Sequence, residues 1–460
     1  MVLKLLLLIS LGMRVTLGLS MKLNKSAPST LAHESADIKA LVSDAKDLYM
    51  RTFPNDSEEE KELICCVAPG RVNLIGEHVD YTGGFVFPMA IAYSTVCIGR
   101  GSIVTKAKAE CRVVSCNKEG NVIRFVSGRN MIPLPPGNSD SWTNYVAGVV
   151  DQYQQLLPDE NLSFSLDIAI SGNVPLGSGL SSSASLEVAV ATFLERLIRM
   201  QYPNVNLGGM KEKALRCQKA ENVFCGSPCG IMDQYVSAAG RKGSAVLIDC
   251  RNLDLESVEM GGDDGDDKPV FVICNSNVKH SIGGGEYPVR VRQCAEATKI
   301  LREIYGDGVN QLRDVSIDML YAIRNGEESA LDNLIYRRAR HVVTENVRTL
   351  QAKDALIMGQ WKKFGQLMNE SHESMKTDYE VSCDEIDILV ELAQNFDGVY
   401  GSRLTGGGFG GCTVTLVDKS RVHDLCEYMK FEYKKRTGKD CVIFETSPGA
   451  GARELFLMES

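Results

Sequence analysis

Positive charge is not in excess over this chain as a whole: 50 Lys and Arg stand against 59 Asp and Glu, a net charge of −9. Nothing in that balance asks for nucleic acid or an anionic membrane as partner, and the acidity reads as solubility. No apolar run is long enough to span a bilayer. The nearest, Leu3–Leu11, is broken by Lys4 and followed by Met13 and Arg14. A basic start before a short apolar run has the form of a secretory signal, while Met21 offers an alternative start. Residues 1–20 are expected to stand outside the fold as an apolar leader. There is no long-period repeat and no HExxH helix; His372 and Glu373 have no second His, and a solvated helix face explains them. No G-x-x-x-x-G-K-[ST] occurs, which excludes the usual nucleotide loop. The 15 cysteines form no small secreted framework. Cys225 and Cys229 have the wrong interval for a zinc hairpin, and no second pair follows. Reduced core thiols in a reducing compartment, hence a cytoplasmic protein, is the reading.

The chain is 460 residues long, 44% hydrophobic and 24% charged. That composition is ordinary for a globular protein, and the length exceeds the roughly 250–300 residues at which single cores stop growing. More than one domain is expected. The stretch 54–62, PNDSEEEKE, reads as a surface turn, 133–140 as a loop, and the acidic 261–268 as a solvated loop without a metal role. Leu247–Asp249 and Val270–Cys274 flank that acidic stretch and are strand-like. Apolar residues alternate at Phe164, Leu166, Ile168 and Ile170, which predicts a half-buried strand. A Gly- and Ser-rich segment follows from Gly172 to Ser183. Leu186, Ala189, Val190, Phe193, Leu194 and Leu197 then recur at helical spacing. Near the end, a helix is expected around Val422–Tyr433 and a strand at Cys441–Glu445 closing the second domain.

Four constellations carry chemistry. VPLGSGLSSSA (Val174–Ala184) sits between that strand and helix. Gly177 and Gly179 let the backbone approach an anion, Ser181, Ser182 and Ser183 offer hydroxyls, and the helix N-terminus supplies positive potential. A serine cap after a glycine turn is the plain alternative, and the frame favours phosphate binding. GRVNLIGEHVDYTGG (Gly70–Gly84) concentrates Arg71, Asn73, Glu77, His78 and Asp80. Such groups suit sugar hydroxyls, which donate and accept; metal ligation by Glu77, His78 and Asp80, or a surface loop with local ion pairs, stays open. PCGIMDQ (Pro228–Gln234), with Glu221 upstream, puts Asp233 in an otherwise apolar run. A carboxylate there is a base, a metal ligand or an acid favoured by a helix dipole. GSRLTGGGFGG (Gly401–Gly411) has five glycines in its last six residues. No helix or strand interior tolerates that, so the segment reads as a loop that closes around a ligand, anchored on the strand-like Cys412–Leu416.

In chain order, Gly70–Gly84 first, then Val174–Ala184, Pro228–Gln234 and Gly401–Gly411, these four motifs resemble the galactokinase branch of the GHMP kinase family. The likeness runs from about Val67 to Leu416 and includes Asn275–His280, Glu286–Pro288, Arg338–His341 and Asp378–Cys383. It implies an α+β fold of two domains with the active site in the cleft between them, here expected as 21–245 (sugar and ATP) and 246–460. It implies ATP-dependent phosphorylation of D-galactose at the anomeric hydroxyl. Asp233 matches the catalytic aspartate and Arg71 the arginine beside it. Arg71, Glu77, His78, Asp80, Gly230, Asp233 and Tyr287 match sugar-contacting positions. Gly177, Ser178, Gly179, Leu180, Ser181, Ser182 and Ser183 match the ATP loop, and Ser183 and Glu221 the Mg²⁺ positions. No obligate protein partner is implied. Within the family the rival is an N-acetylgalactosamine kinase, disfavoured by the resemblance of Tyr81–Gly84 and Cys229–Asp233 to the galactose branch. Outside enzymes, the rival is a sugar sensor that binds galactose and ATP without turnover. Such sensors lack a Ser-Ala pair in the serine loop, whereas Ser183 and Ala184 are both present.

Overall fold

The alternating segment around Phe164–Ile170 is a strand in the interior of the largest sheet. A computed structural model describes residues 29–54, 62–260, 268–278, 286–324 and 331–457. The turn expected over 54–62 and the acidic loop over 261–268 fall almost wholly outside these residues. Residues 1–20, Lys279 and His280 do so entirely. Among the described residues the strands are β1 (Ser29–Thr30), β2 (Ile64–Asn73), β3 (Phe85–Val86), β4 (Pro88–Thr105), β5 (Lys108–Ser115), β6 (Lys118–Gly128), β7 (Leu162–Gly172), β8 (Ser244–Asp249), β9 (Asp254–Glu259), β10 (Pro269–Asn275), β11 (Val399–Thr405), β12 (Cys412–Asp418), β13 (Val442–Thr446) and β14 (Arg453–Phe456). They make three sheets, ordered β1-β14-β2-β4-β7-β5-β6, β11-β12-β10-β13 and β3-β8-β9. Helices pack against them, as an α+β fold requires.

In β7 the inward residues Phe164, Leu166 and Ile168 meet Phe193, Leu194 and Leu197 of the helix Ser182–Gln201. Fully burying one such side chain stabilises by about 1.5–3 kcal/mol. Ser165 and Asp167 are half-buried, as the alternation predicts, but Ala169 is fully buried. The helix Ala36–Thr52 lays Ile38, Leu41, Val42 and Ala45 over that second face. Its start is set by Ser35, whose side chain accepts from the Ile38 amide, an N-cap.

The four-stranded sheet carries helices on both faces, and its β10 is apolar without a break from Val270 to Cys274. Val272 and Cys274 of β10 face Leu389, Leu425 and Tyr433, from the helices Asp384–Gln394 and Val422–Thr437. Phe271 and Ile273 face Phe364, Leu367 and Met368 of the helix Trp361–Ser374. That second cluster also takes in Val72, Leu74 and Ile75 from β2 and the turn after it. One core therefore joins the two large sheets and sets the cleft between them.

The chain does not end in the second sheet. After β13, which pairs antiparallel with β10, β14 returns to the first sheet and pairs with β2 at Arg453↔Val67 and Glu454↔Cys66. Its four residues carry too short a pattern to read in advance. They are held because β2 would otherwise expose an unpaired edge and because Arg453 pairs with Glu34. A division at 245/246 cuts β8 and leaves β14 across the boundary from its sheet.

One contact shows how closely the helices sit on the second sheet. Gly365 and Gly401 meet backbone to backbone, and a Cβ on Gly365 would lie 2.1 Å from the Tyr400 carbonyl oxygen. Gly365→Ala should improve helix propensity by about 1 kcal/mol yet lose more, because overpacking against backbone costs about 1–3 kcal/mol or more. A lowered urea or thermal midpoint is expected. A midpoint at or above wild type would show that the helix shifts freely on β11.

Candidate active site

β2 is wholly buried, and its pairing with β4 slips between Pro69 and Arg71. The slip lies at Gly70, where a Cβ would come within 2.6 Å of the Leu180 carbonyl oxygen. Through that gap the Arg71 amide donates to Leu180 O at 3.1 Å, tying the Gly177–Ser183 loop to β2. The Arg71 side chain is buried. Its Nε and Nη2 reach Asp233 Oδ1 at 2.8 and 2.6 Å, and its Nη1 donates to Gly179 O at 2.5 Å.

Asp233 is the second residue of the helix Met232–Ala239, and no side chain caps that helix start. It does not cap the helix, but it stands in the first turn, where the helix dipole favours an acid. Its other oxygen, Oδ2, accepts from the Ser181 hydroxyl at 2.6 Å. Ser181, expected among the phosphate donors, thus points its hydroxyl at Asp233, from a left-handed backbone (φ 64°). The Ser178 hydroxyl is also taken locally, by Pro175 O at 2.7 Å. Leu180 is a core side chain that serves the loop through its backbone. Of the expected anion donors, this leaves the loop amides and the Ser182 hydroxyl, with Ser183 hydrogen-bonded to Glu221.

The loop Gly406–Gly411 closes on the Gly177–Ser183 loop itself. A Cβ on Gly406 would lie 2.8 Å from Gly179 O, and one on Gly411 2.8 Å from Ser178 O. Both positions have positive φ, at 89° and 81°. Glycine is required on both counts. The cleft between the two loops is lined by Gly177 and Gly179 on one side and by Gly407, Gly408, Gly410 and Gly411 on the other.

Past β2, the chain brings four acidic or aromatic groups together. Glu77 is buried at 1% exposure. Its carboxylate accepts from the Gly406 amide and Asn73 Nδ2 and pairs with Arg403 at 3.4 Å. Burial pushes its pKa up, opposed by Arg403 and Arg71. Gly76 and Glu77 amides donate to Glu345 Oε1 at 2.9 and 3.3 Å. His78 packs among Tyr81, Tyr287 and Tyr379, with ring centroids 6.2, 5.4 and 5.1 Å away. Burial, with the nearby His341 and Arg290, drives its pKa down to about 3, so the ring is neutral. Asp80 is half-buried. Burial first, then the charge of Asp233, pushes its pKa up to about 7. Gly230 lies against it, and a Cβ there would overlap Asp80 Oδ2 at 1.7 Å. Glu77, His78 and Asp80 do not converge on one point. Among the described residues no group of three or more His, Cys, Asp and Glu is arranged to hold a metal ion.

Glu221 opens a π-turn, Glu221–Cys225, after the helix Met210–Ala220; such turns often mark functional sites. It is buried, and burial with the charge of Asp233 pushes it up to about 7, while a hydrogen bond with Ser183 opposes the rise. Gln234 Nε2 donates to it at 2.7 Å and to Glu187 at 3.1 Å. Glu187 escaped the motif reading. Its signal was a carboxylate on the apolar face of the helix Ser182–Gln201, in line with Val190 and Leu194, where acids are rarely buried unpaired. Arg403, Glu345 and Tyr379 were also missed as site residues; each acts through a distant partner that no local pattern announces.

Family models match in three places: a galactokinase galactose-binding signature over residues 49–100, a GHMP kinases N terminal domain over 144–241 and a GHMP kinases C terminal domain over 352–435. The galactokinase of Bos taurus is 42% identical over 402 residues, covering 87% of this chain and 94% of that protein. The galactokinase of Homo sapiens is 42% identical over 413 residues, 88% and 96% of the two chains. Among solved structures, Lactococcus lactis galactokinase complexed with galactose superposes with a TM-score of 0.77 at 33% identity, covering 90% of this chain and 99% of that one. Methanococcus jannaschii mevalonate kinase shares the fold, at a TM-score of 0.52 and 19% identity, over 85% and 100% of the chains.

Asp80 gives a pH test of this geometry. Its pKa rises from 3.8 to about 7 in the folded protein. Between those values the folded state holds a proton that the unfolded state has lost, so stability falls as pH rises through the window. Asp80→Asn cannot ionise. Its unfolding midpoint relative to wild type should therefore climb from about pH 4 to about pH 7 and level off above that. A constant difference across that range would remove Asp80 from its charged neighbourhood.

Proposed function

This chain belongs to the galactokinases of the GHMP kinase family, and we propose that it works as one: it transfers the γ-phosphoryl group of ATP to the anomeric hydroxyl of D-galactose, giving α-D-galactose 1-phosphate and ADP. The observation that carries this reading is the Arg71–Asp233–Ser181 cluster at 2.6–2.8 Å, directly beside the glycine-lined cleft. A sugar hydroxyl is a poor nucleophile at neutral pH. Asp233 accepts its proton, through an oxygen lone pair that Arg71 and Ser181 leave free. Such a positioned base contributes typically about 10²–10⁴-fold. Arg71 fixes the carboxylate and stabilises negative charge as it develops. Loop amides between Gly177 and Ser183, with the start of the helix behind them, take the phosphates.

The family implies Mg²⁺, and Ser183 and Glu221 fit it. Their side chains are hydrogen-bonded at the end of the phosphate loop, and Glu221 is a buried carboxylate crowded by Asp233 and Glu187, with no cationic side chain paired to it among the described residues. Two protein oxygens are what Mg²⁺ usually takes beside phosphates and water. Held there by Ser183 and Glu221, it would supply positive charge to offset that of the phosphates.

His78, Asp80 and Tyr287 read the sugar hydroxyls, with Gly230 keeping Asp80 in place. Glu77 stands below them and reaches the sugar only by exchanging one of its present partners. The two sheet-based halves, taken as 21–245 and 246–460 with β14 returning to the first, flank the site. All 15 cysteines are free thiols, which supports a reducing, cytoplasmic setting. Among the described residues no helix is long and apolar enough to cross a membrane.

Steady-state assays with ATP and galactose, glucose or N-acetylgalactosamine test the substrate. Galactose should give the highest kcat/KM by far, because a site that bonds a hydroxyl rejects an analogue that misplaces it. Asp233→Asn should keep the fold and lose roughly 10²-fold or more in kcat. A preference for N-acetylgalactosamine, or an undiminished Asn variant, would overturn the substrate or the base in turn.

The metal assignment has its own readout. Glu221→Ala should raise the Mg²⁺ concentration for half-maximal activity, and weaken Mn²⁺-nucleotide binding measured without turnover, while galactose affinity holds. An unchanged metal titration would move the metal elsewhere.

A further inference from the structure

Behind the sugar-facing side of the cleft runs a buried hydrogen-bond chain with no part in the chemistry above. His78 Nδ1 lies 3.2 Å from the Tyr81 hydroxyl, Tyr81 OH 2.6 Å from Tyr379 OH, and Tyr379 OH 3.1 Å from Cys294 Sγ. Its members come from three separate elements. Tyr81 follows the loop after β2. Tyr379 ends a second π-turn, Met375–Tyr379, and Cys294 sits in the helix Glu286–Tyr305. Tyr379 and Cys294 are fully buried, at 0% and 2% exposure, and the Tyr379 ring lies between the rings of His78 and His341, at 5.1 and 4.4 Å. His78 itself has a left-handed backbone (φ 58°); its Nε2 is buried without a well-formed hydrogen bond, and the Gly407 backbone lies against the ring and favours a proton on it. A bulky residue holds such a backbone only when its surroundings impose it.

The chain can run in two directions, and they are not equivalent. If His78 donated from Nδ1, the Tyr379 hydroxyl would end the run on a thiol sulfur, a weak acceptor. In the opposite sense Cys294 starts the run as a weak donor and each phenol then donates onward. The last bond is a phenolic O–H to an imidazole nitrogen, the better match of acid to base. Burial keeps the Cys294 thiol protonated, at about 11, so it has a proton to give.

We infer that Tyr81, Tyr379 and Cys294 are positioning residues that hold neutral His78 in its Nε2–H tautomer, so that the ring meets the sugar as a hydrogen-bond donor and selects an oxygen that must accept. The proton on one ring nitrogen is set by the bond the other makes. The inference rests on the reading that His78 contacts the sugar, and extends it from a contact to a direction of donation.

The test uses the full-length enzyme labelled with ¹⁵N-histidine, without galactose, with the His78 resonances assigned by their loss in His78→Asn. Long-range ¹⁵N–¹H spectra should show His78 with its proton on Nε2. Tyr81→Phe should release the ring to a mixture of tautomers and raise the galactose KM about two- to tenfold, the scale of one hydrogen bond, with the ATP KM unmoved. Tyr379→Phe keeps the ring and the direct Tyr81–His78 bond, so it should give a smaller change of the same kind. It also serves as the test should the Tyr81 variant not fold. A proton on Nδ1 in wild type, or spectra and KM unmoved in both variants, would overturn the inference. If the tautomer responds and the KM does not, the network stands and the sugar contact assigned to His78 falls.

Discussion

The buried Arg71 guanidinium is the interaction on which this site depends. One side chain ties together β2, the backbone of the phosphate loop at Gly179 and the carboxylate of Asp233. Those elements are far apart in sequence, by 108 residues for Gly179 and 162 for Asp233. A buried guanidinium is costly unless its donors are satisfied, so the three partners must stay where they are for the cation to be tolerated. The same requirement that makes Arg71 stable makes the distance from Asp233 to the phosphate loop invariant. That distance is what in-line transfer between a sugar and a nucleotide needs.

Around that cation the balance of charge tips the other way. Glu77, Asp80, Asp233, Glu187 and Glu221 crowd one region, against Arg71 and Arg403. Glu77 is compensated by Arg403, Asn73 and the Gly406 amide. Asp80 and Glu221 are compensated less: burial with the charge of Asp233 outweighs their hydrogen bonds and raises both to about 7. A folded protein holding such groups is under electrostatic load that hydrogen-bond donors and a divalent cation relieve. In the function we propose, sugar hydroxyls suit the first carboxylate and Mg²⁺ the second. The binding surface is thus legible as unmet charge, much as an apolar pocket is legible as unmet packing.

The glycine loops show how a motif can be read for the right segment and the wrong neighbour. Five glycines between Gly406 and Gly411 announce a close backbone approach, and the approach is real. Its partner is first of all the other glycine loop, at Gly179 and Ser178, and the ligand cleft is what remains between them. Ser181 is a similar case. Its place in a serine run suggests a phosphate donor, yet its left-handed backbone turns the hydroxyl to Asp233. Composition tells which backbone is exceptional, but not against what it packs.

Local order was written in the chain. Period-two alternation in β7, helical spacing in Ser182–Gln201 and an apolar run in β10 each follow from which residues must leave water, a choice made within a few positions. The motifs Gly70–Gly84, Val174–Ala184, Pro228–Gln234 and Gly401–Gly411 likewise mark where the chemistry lies, because phosphate and sugar need small, polar and charged groups at short range. Pairings across the chain were not written there. That β14 returns to β2, that Arg403 meets Glu77, that Glu187 shares Gln234 with Glu221, and that Tyr379 stands behind His78 are outcomes of packing one core between two sheets. A buried polar group takes whichever partner the fold brings within 3 Å, and that partner can be hundreds of residues away. No window of sequence contains both halves of such a bond, so the contacts that tune the site existed only once the sheets had met.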